Sequence, residues 1–145
     1  MKVVLQRVSR AVVSVGNDTV GRIDAGYVAL VGFGEGDNMA KVEKMVDKIQ
    51  KLRIFPDQDG KTNLSIRDAG GGILIVSQFT LYADCRKGNR PSFINAADPA
   101  EAEALYDGFI RYAEGKFDRV EHGVFGAMMD VELVNDGPFT LILED

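Results

Sequence analysis

Hydrophobic and polar positions alternate from the start of the chain: Val4, Gln6 and Val8 share one phase, Val3, Leu5 and Arg7 the other, and apolar residues resume at Ala11, Val13 and Val15. A period of two is strand periodicity. The turn residues Gly16-Asn17-Asp18 follow, then Val20-Gly21-Arg22-Ile23, then Asp24-Ala25-Gly26, so the first 26 residues read as a β-hairpin. Tyr27 to Val31 predicts a compact buried strand.

From Asn38 the period changes. Met39, Val42, Met45, Val46, Ile49 and Leu52 fall on one face at helical spacing with Lys and Glu opposite, which predicts an amphipathic helix. Ile73 to Val76 is an aliphatic run behind Gly70-Gly71-Gly72; its shortness and β-branching predict a strand buried on both faces, at the centre of the sheet. A second helix is announced by Asp98 as cap, Pro99 at the first helical position, Glu101 to complete a capping box and Gly115 to close the end. Its inner face is Ala102, Leu105, Tyr106, Phe109 and Ala113. Beyond it Phe125, Ala127, Met129, Val131 and Leu133 alternate, Asn135-Asp136-Gly137-Pro138 breaks the chain, and Thr140 to Leu143 forms a last short strand.

Strands separate the helices without a regular βαβα rhythm, so the expected class is α+β, an antiparallel or mixed, barrel-like sheet covered by two main helices. With 145 residues, 46% hydrophobic and 27% charged, one domain spanning 1–145 is the simplest organisation. Lys2, Arg7 and Arg10 interrupt the N-terminal apolar positions, and the longest uncharged run, Ala69 to Ala83, holds glycines, Ser77, Gln78 and Thr80. Neither has the character of a signal peptide or a membrane span, and the expected location is cytoplasmic.

Composition also narrows the chemistry. One His and one Cys leave a Cys/His zinc site without ligands, so neither metal nor other cofactor is expected, and a thiol–imidazole dyad would require Cys85 and His122 to meet. A net charge of −5 argues against a protein that coats nucleic acid non-specifically, but leaves room for a local basic patch.

Gly32-Phe33-Gly34-Glu35-Gly36-Asp37 sits where phosphate loops sit, yet no Lys-Ser/Thr follows and its acids would repel an anion. It reads as a strand-to-helix turn with a capping acid. His122 reads as a strand-end histidine, and Cys85, beside Arg86-Lys87, as a loop thiol. Ser77-Gln78-Phe79-Thr80-Leu81 is more informative, because polar side chains emerge directly from the end of a buried strand, which gives a site rigid support. Arg86, Lys87 and Arg90 follow with no acid between them, suited to phosphate contacts, while Phe79 and Phe93 offer faces for stacking a base.

Taken together, Ser77-Gln78-Phe79-Thr80-Leu81, Gly88-Asn89-Arg90-Pro91-Ser92-Phe93 and Asn135-x-Gly137-Pro138-x-Thr140 resemble, in order and spacing, the motifs of the D-aminoacyl-tRNA deacylases. The resemblance covers essentially the whole chain; Phe139 stands where a small aliphatic residue is commoner. It implies an editing hydrolase that cleaves the ester joining a D-amino acid, or glycine, to the terminal adenosine of tRNA and spares L-aminoacyl-tRNA. It further implies a homodimer in which Ser77, Gln78, Phe79 and Thr80 hold the adenosine, while a cis Gly137-Pro138 enters from the neighbouring subunit. The residues show no convincing triad, metal site or acid/base pair, and Thr80 has no adjacent base to activate it. The resemblance accordingly implies catalysis assisted by the tRNA 2′-hydroxyl, with Ser77, Gln78 and Thr80 orienting it. The competing class is a small RNA- or nucleotide-binding module without turnover.

Overall fold

A computed structural model describes residues 1–145. The elements run β1 (Lys2–Val15), β2 (Asp18–Ile23), β3 (Gly26–Gly32), α1 (Met39–Lys51), β4 (Phe55–Pro56), β5 (Thr62–Leu64), β6 (Gly72–Ser77), α2 (Pro99–Glu114), β7 (Val120–His122) and β8 (Met129–Glu144). A 3-10 turn, Phe79–Tyr82, follows β6.

The long β1 organises the sheet. Along one edge it is antiparallel to β8 from Lys2 to Val15; along the other, Lys2–Val8 pair with β3 and Ala11–Val15 with β2. β3 then pairs with β6 and β6 with β7, both parallel. Parallel neighbours need crossovers, which α1 and α2 supply. The sheet curls until its ends meet: a Cβ at Gly21 of β2 would lie 3.0 Å from the His122 carbonyl of β7, and Arg119 Nη2 donates to the Arg22 carbonyl at 2.9 Å. The result is the expected α+β class, a mixed and nearly closed barrel-like sheet with two helices. The hub is β1, however, where Ile73–Val76 was expected: β1 serves β3 and β2 in succession along one edge and β8 along the other.

Two cores explain why β6 is aliphatic throughout. Tyr27, Ala29, Val31, Ile73 and Ile75 face the helices, where they meet Val42, Val46, Ile49, Tyr106 and Phe109. Val28, Leu74 and Val76 face the inside of the curl with Val8, Ala11, Val13 and Ile23. Both faces of β6 are therefore dry, as expected from its pattern.

The helices begin as expected, with two differences of detail. Asn38 caps α1, its Oδ1 accepting from the Lys41 N–H at 3.2 Å, so the acid of the glycine-rich turn, Asp37, is not the helix cap. Asp98 caps α2 by accepting from the Ala100 N–H at 2.9 Å, but Glu101 returns no bond to it, so the capping box is half formed.

The C-terminal region departs furthest from expectation. Phe125 and Ala127 lie in the β7–β8 connection, and β8 runs unbroken from Met129 to Glu144. Asn135-Asp136-Gly137-Pro138 does not end a strand. Between the Val8–Asn135 and Gln6–Thr140 pairs β8 uses more residues than β1, so Asp136–Phe139 bulge out of a ladder that resumes beyond them. The Gly137-Pro138 bond is cis.

Candidate active site

The strand β6 delivers the first site residues. Ser77 pairs with Val31 at the last step of the β3–β6 ladder, and the Gln78 N–H donates to the Val31 carbonyl at 2.7 Å. The chain then tightens into the 3-10 turn, where Leu81 N–H donates to the Gln78 carbonyl and Ala83 N–H to the Thr80 carbonyl. Gln78 Nε2 donates to Thr80 Oγ1, which ties two of the polar side chains together. Ser77 and Gln78 are half-buried, Phe79 and Thr80 exposed.

The turn is seated on glycines. A Cβ at Gly32 would lie 2.8 Å from the Gln78 carbonyl oxygen, so the backbone approach itself requires glycine there. Beneath the turn, Asp37 accepts from the Gly34 N–H at 2.8 Å and pairs with the Met1 ammonium at 2.8 Å and Lys41 at 3.0 Å. Burial alone would raise the Asp37 pKa, but these donors hold it below the ordinary value. Tyr82 reaches the same carboxylate at 3.4 Å, and burial together with that charge pushes its phenol up to about 12.

Beside Ser77 and Phe79 opens a pocket of about 420 Å³. Phe79 and Phe93 meet edge to face at 5.1 Å, and Phe125 and the start of α2 at Pro99 and Ala102 complete the wall. Phe125 leans on Tyr106, whose buried hydroxyl donates to the Ile75 carbonyl at 2.9 Å with the Gly123 carbonyl at 3.3 Å. The mouth thus presents aromatic faces with one hydroxyl beside them, an arrangement suited to a planar heterocycle carrying a polar substituent. A larger hollow of about 760 Å³ lies between α1 and the end of β8, but it is lined by Lys44, Lys48, Lys51 and acids with no aromatic ring.

Gly137 and Pro138 do not line the pocket of their own subunit. Both are exposed, and a Cβ on Gly137 would meet only Asn135 Nδ2 at 3.8 Å, so nothing within the subunit demands glycine. The bulge is held from below. Arg7, 8% exposed, donates from Nη2 to the Gly137 carbonyl at 3.3 Å and from Nη1 to the Ile54 carbonyl. Its Nε lies 2.8 Å from the Asp136 carboxylate, a charge contact that lies off the N–H direction. Asn135 Oδ1 accepts from Gln6 Nε2 and Thr140 Oγ1, each at 3.2 Å.

The basic segment is less uniform than its sequence. Arg86 makes a two-pronged pair with Asp84, Nε at 2.9 Å and Nη2 at 2.7 Å, and this holds the Asp84 carboxyl well below the usual range. Lys87 and Arg90 are exposed and make no ion pair within the chain. Cys85 is exposed in the same loop, and His122 Nδ1 lies 2.9 Å from the Gly123 carbonyl; neither lines the aromatic pocket. No three His, Cys, Asp or Glu side chains are grouped to hold a metal ion. No helix is long and apolar enough to cross a membrane.

A profile of the family described as D-Tyr-tRNA(Tyr) deacylase matches residues 4–144. The chain belongs to this family. It is 56% identical to the D-aminoacyl-tRNA deacylase of Dehalococcoides mccartyi over 144 residues, 99% of this chain and 94% of that one. It is 54% identical to that of Halalkalibacterium halodurans, with 99% of each chain covered. Among solved structures, a c-Myc DNA Unwinding Element Binding Protein superposes with a TM-score of 0.94 at 40% identity, covering 100% of this chain and 99% of that one. A probable eukaryotic D-amino acid tRNA deacylase shares the fold, with a TM-score of 0.85 at 20% identity and coverage of 98% and 97%. Of the deacylase-like motifs, the structure brings Ser77, Phe79 and Phe93 together around one pocket and leaves Gly137-Pro138 facing outward. Phe125 and Ala102 join that pocket unannounced: the first sits in an alternating run that mimics a strand, the second on the inner face of a helix.

Proposed function

We propose that this chain is an editing hydrolase that cleaves the ester between a D-amino acid, or glycine, and the terminal adenosine of tRNA, and leaves L-aminoacyl-tRNA intact. In this reading residues 1–145 form one catalytic domain. The terminal adenine stacks in the aromatic pocket on Phe79, and Ser77, Gln78 and Thr80 orient the ribose and the ester. The 2′-hydroxyl of the substrate assists attack by water on the carbonyl carbon. Thr80 orients and does not attack, because its hydroxyl already accepts from Gln78 and no base adjoins it.

The observation that carries the reading is the mismatch at Gly137-Pro138. The pair is exposed, bonded to Arg7 through the Gly137 carbonyl, absent from the lining of its own pocket and under no internal requirement for glycine. Such a feature is built for something that approaches from outside. In a symmetric dimer each subunit gives this bulge to its partner's pocket and receives the same in return. Main-chain oxygens placed beside the substrate Cα reject a side chain in the L direction, while a D side chain or a hydrogen fits. Lys87 and Arg90 supply phosphate contacts near the site.

Parallel hydrolysis of D-Tyr-tRNA, L-Tyr-tRNA and Gly-tRNA tests this. D-Tyr-tRNA and Gly-tRNA are expected to be deacylated and L-Tyr-tRNA spared; comparable rates on D- and L-Tyr-tRNA would sink the proposal. A second reading, nucleic-acid binding without turnover, takes support from the likeness to a protein described as binding a DNA element. It predicts retention of tRNA with no hydrolysis of any of the three substrates.

A further inference from the structure

We propose that Phe139 is a positioning residue for chiral discrimination, acting by holding the Arg7 guanidinium against the Gly137 carbonyl. The inference rests on the reading that Gly137-Pro138 meets the substrate.

Arg7 leaves β1 where the β1–β8 ladder opens, and its side chain is almost wholly removed from water. A buried guanidinium must replace its hydration, and it does so with hydrogen bonds to the Ile54 and Gly137 carbonyls and with the charge of the Asp136 carboxylate. Its faces carry no donors, so only flat apolar groups suit them. The Phe139 ring centroid lies 4.5 Å from Arg7 Cζ, and that of Phe55 lies 5.9 Å away. Phe55 in turn packs at 5.1 Å on Tyr27, which is fully buried and is the cross-strand partner of Arg7. The guanidinium therefore stands on an aromatic stack rooted in the helix-side core, and Phe139 is the member contributed by the bulge.

At 3.3 Å the bond to Gly137 is slightly longer than the usual N–H···O range. It depends most on the guanidinium staying still and on water staying out. Phe139 supplies both: the ring quadrupole attracts the cation, and the ring body covers it. Because Phe139 follows Pro138 directly, the same bulge grips Arg7 by its ring and is gripped by Arg7 at its carbonyl. A leucine fills part of the volume but offers no quadrupole, so the cation loses its cover and the carbonyl its fixed direction.

The test compares the wild type with Phe139→Leu, Phe139→Tyr and Pro138→Ala on D-Tyr-tRNA and L-Tyr-tRNA. Phe139→Leu is expected to lower the D-over-L ratio of kcat/KM by about tenfold, chiefly through a higher L rate, and Phe139→Tyr to restore it. In parallel, NMR of the Arg7 side-chain N–H groups is expected to show faster solvent exchange in Phe139→Leu than in Phe139→Tyr. An unchanged ratio in Phe139→Leu overturns the proposal; if Pro138→Ala then loses the ratio, the Gly-Pro reading stands without it. If Pro138→Ala also keeps the ratio, that reading falls and the proposal with it. Should Phe139→Leu fail to fold, Phe139→Met replaces it, and a wild-type ratio there overturns the proposal equally.

Discussion

A Cβ built on Gly34 would lie 2.4 Å from Cε1 of Tyr82 and 2.6 Å from its Cζ. The ring of Tyr82 closes the 3-10 turn that carries Phe79 and Thr80, so the turn after β3 sets where the site residues stand. Gly34→Ala must push the ring aside, at about 1–3 kcal/mol for an overpacked contact. We expect deacylation of D-Tyr-tRNA to fall by at least about tenfold, since small misplacements of orienting groups are costly in rate. Gly115→Ala, whose Cβ would meet the Tyr112 carbonyl at an ordinary 3.5 Å, serves as control in urea unfolding and kinetics.

Asp37 predicts a pH dependence of stability. Its folded pKa is depressed, so its contribution is present above the unfolded pKa of about 4 and is lost as pH falls through the lower folded value. The gap in urea midpoint between wild type and Asp37→Asn is therefore widest at neutral pH and shrinks on acidification. A gap that stayed constant down to about pH 2 would show that the carboxylate charge contributes nothing.

Catalysis should need neither metal, thiol nor imidazole. Exhaustive chelation, Cys85→Ala and His122→Ala are each expected to keep the rate on D-Tyr-tRNA within about tenfold, or 1.4 kcal/mol, of the untreated wild type. A larger loss in any of the three would mean that a reacting group lies outside the aromatic pocket.

The substrate's own hydroxyl gives a sharper division. D-Tyr-tRNA carrying the amino acid on the 3′ position and a terminal 2′-deoxyribose should bind but not turn over. Full activity on it would point to Thr80 as the nucleophile instead.

Assembly is the remaining test of the outward-facing bulge. If the proposed sharing holds, the dimer fraction seen by sedimentation and the activity should fall together across one dilution series, because a lone subunit would lack a partner's Gly137-Pro138. An active monomer at assay concentration would refute the shared site.

Much of this architecture was legible in side-chain period. The opening hairpin, the amphipathic α1, the capped α2 and the two-sided burial of β6 all follow from spacing that local physics enforces. What escaped is non-local. The run from β3 through α1 to β6 and from β6 through α2 to β7 is a pair of parallel crossovers, hidden because the β4–β5 hairpin and the long basic loop interrupt the rhythm. The unbroken β8 was hidden too, because Gly137-Pro138 carries every local sign of a chain break while β1 supplies partners on either side of it. At the site, Ser77, Phe79 and Phe93 could be named from their motifs, but Phe125 could not, since its alternation with Ala127 and Met129 imitates a strand. The grip of Arg7 on Gly137 joins residues far apart in sequence and leaves no periodic trace.

The union of β1 with β8 also bears on how the protein is made. Lys2 pairs with Glu144 and Val15 with Met129, so β1 waits for β8, which is made after every other strand of this sheet. β2 and β3 can settle on one edge of β1 during synthesis, but its other edge stays bare until β8 has been made. Contacts of such long sequence separation make folding slow, and an open strand edge invites pairing with a neighbouring chain. Completion of this sheet awaits the synthesis of β8, and nascent copies on one messenger are most exposed to one another just before it.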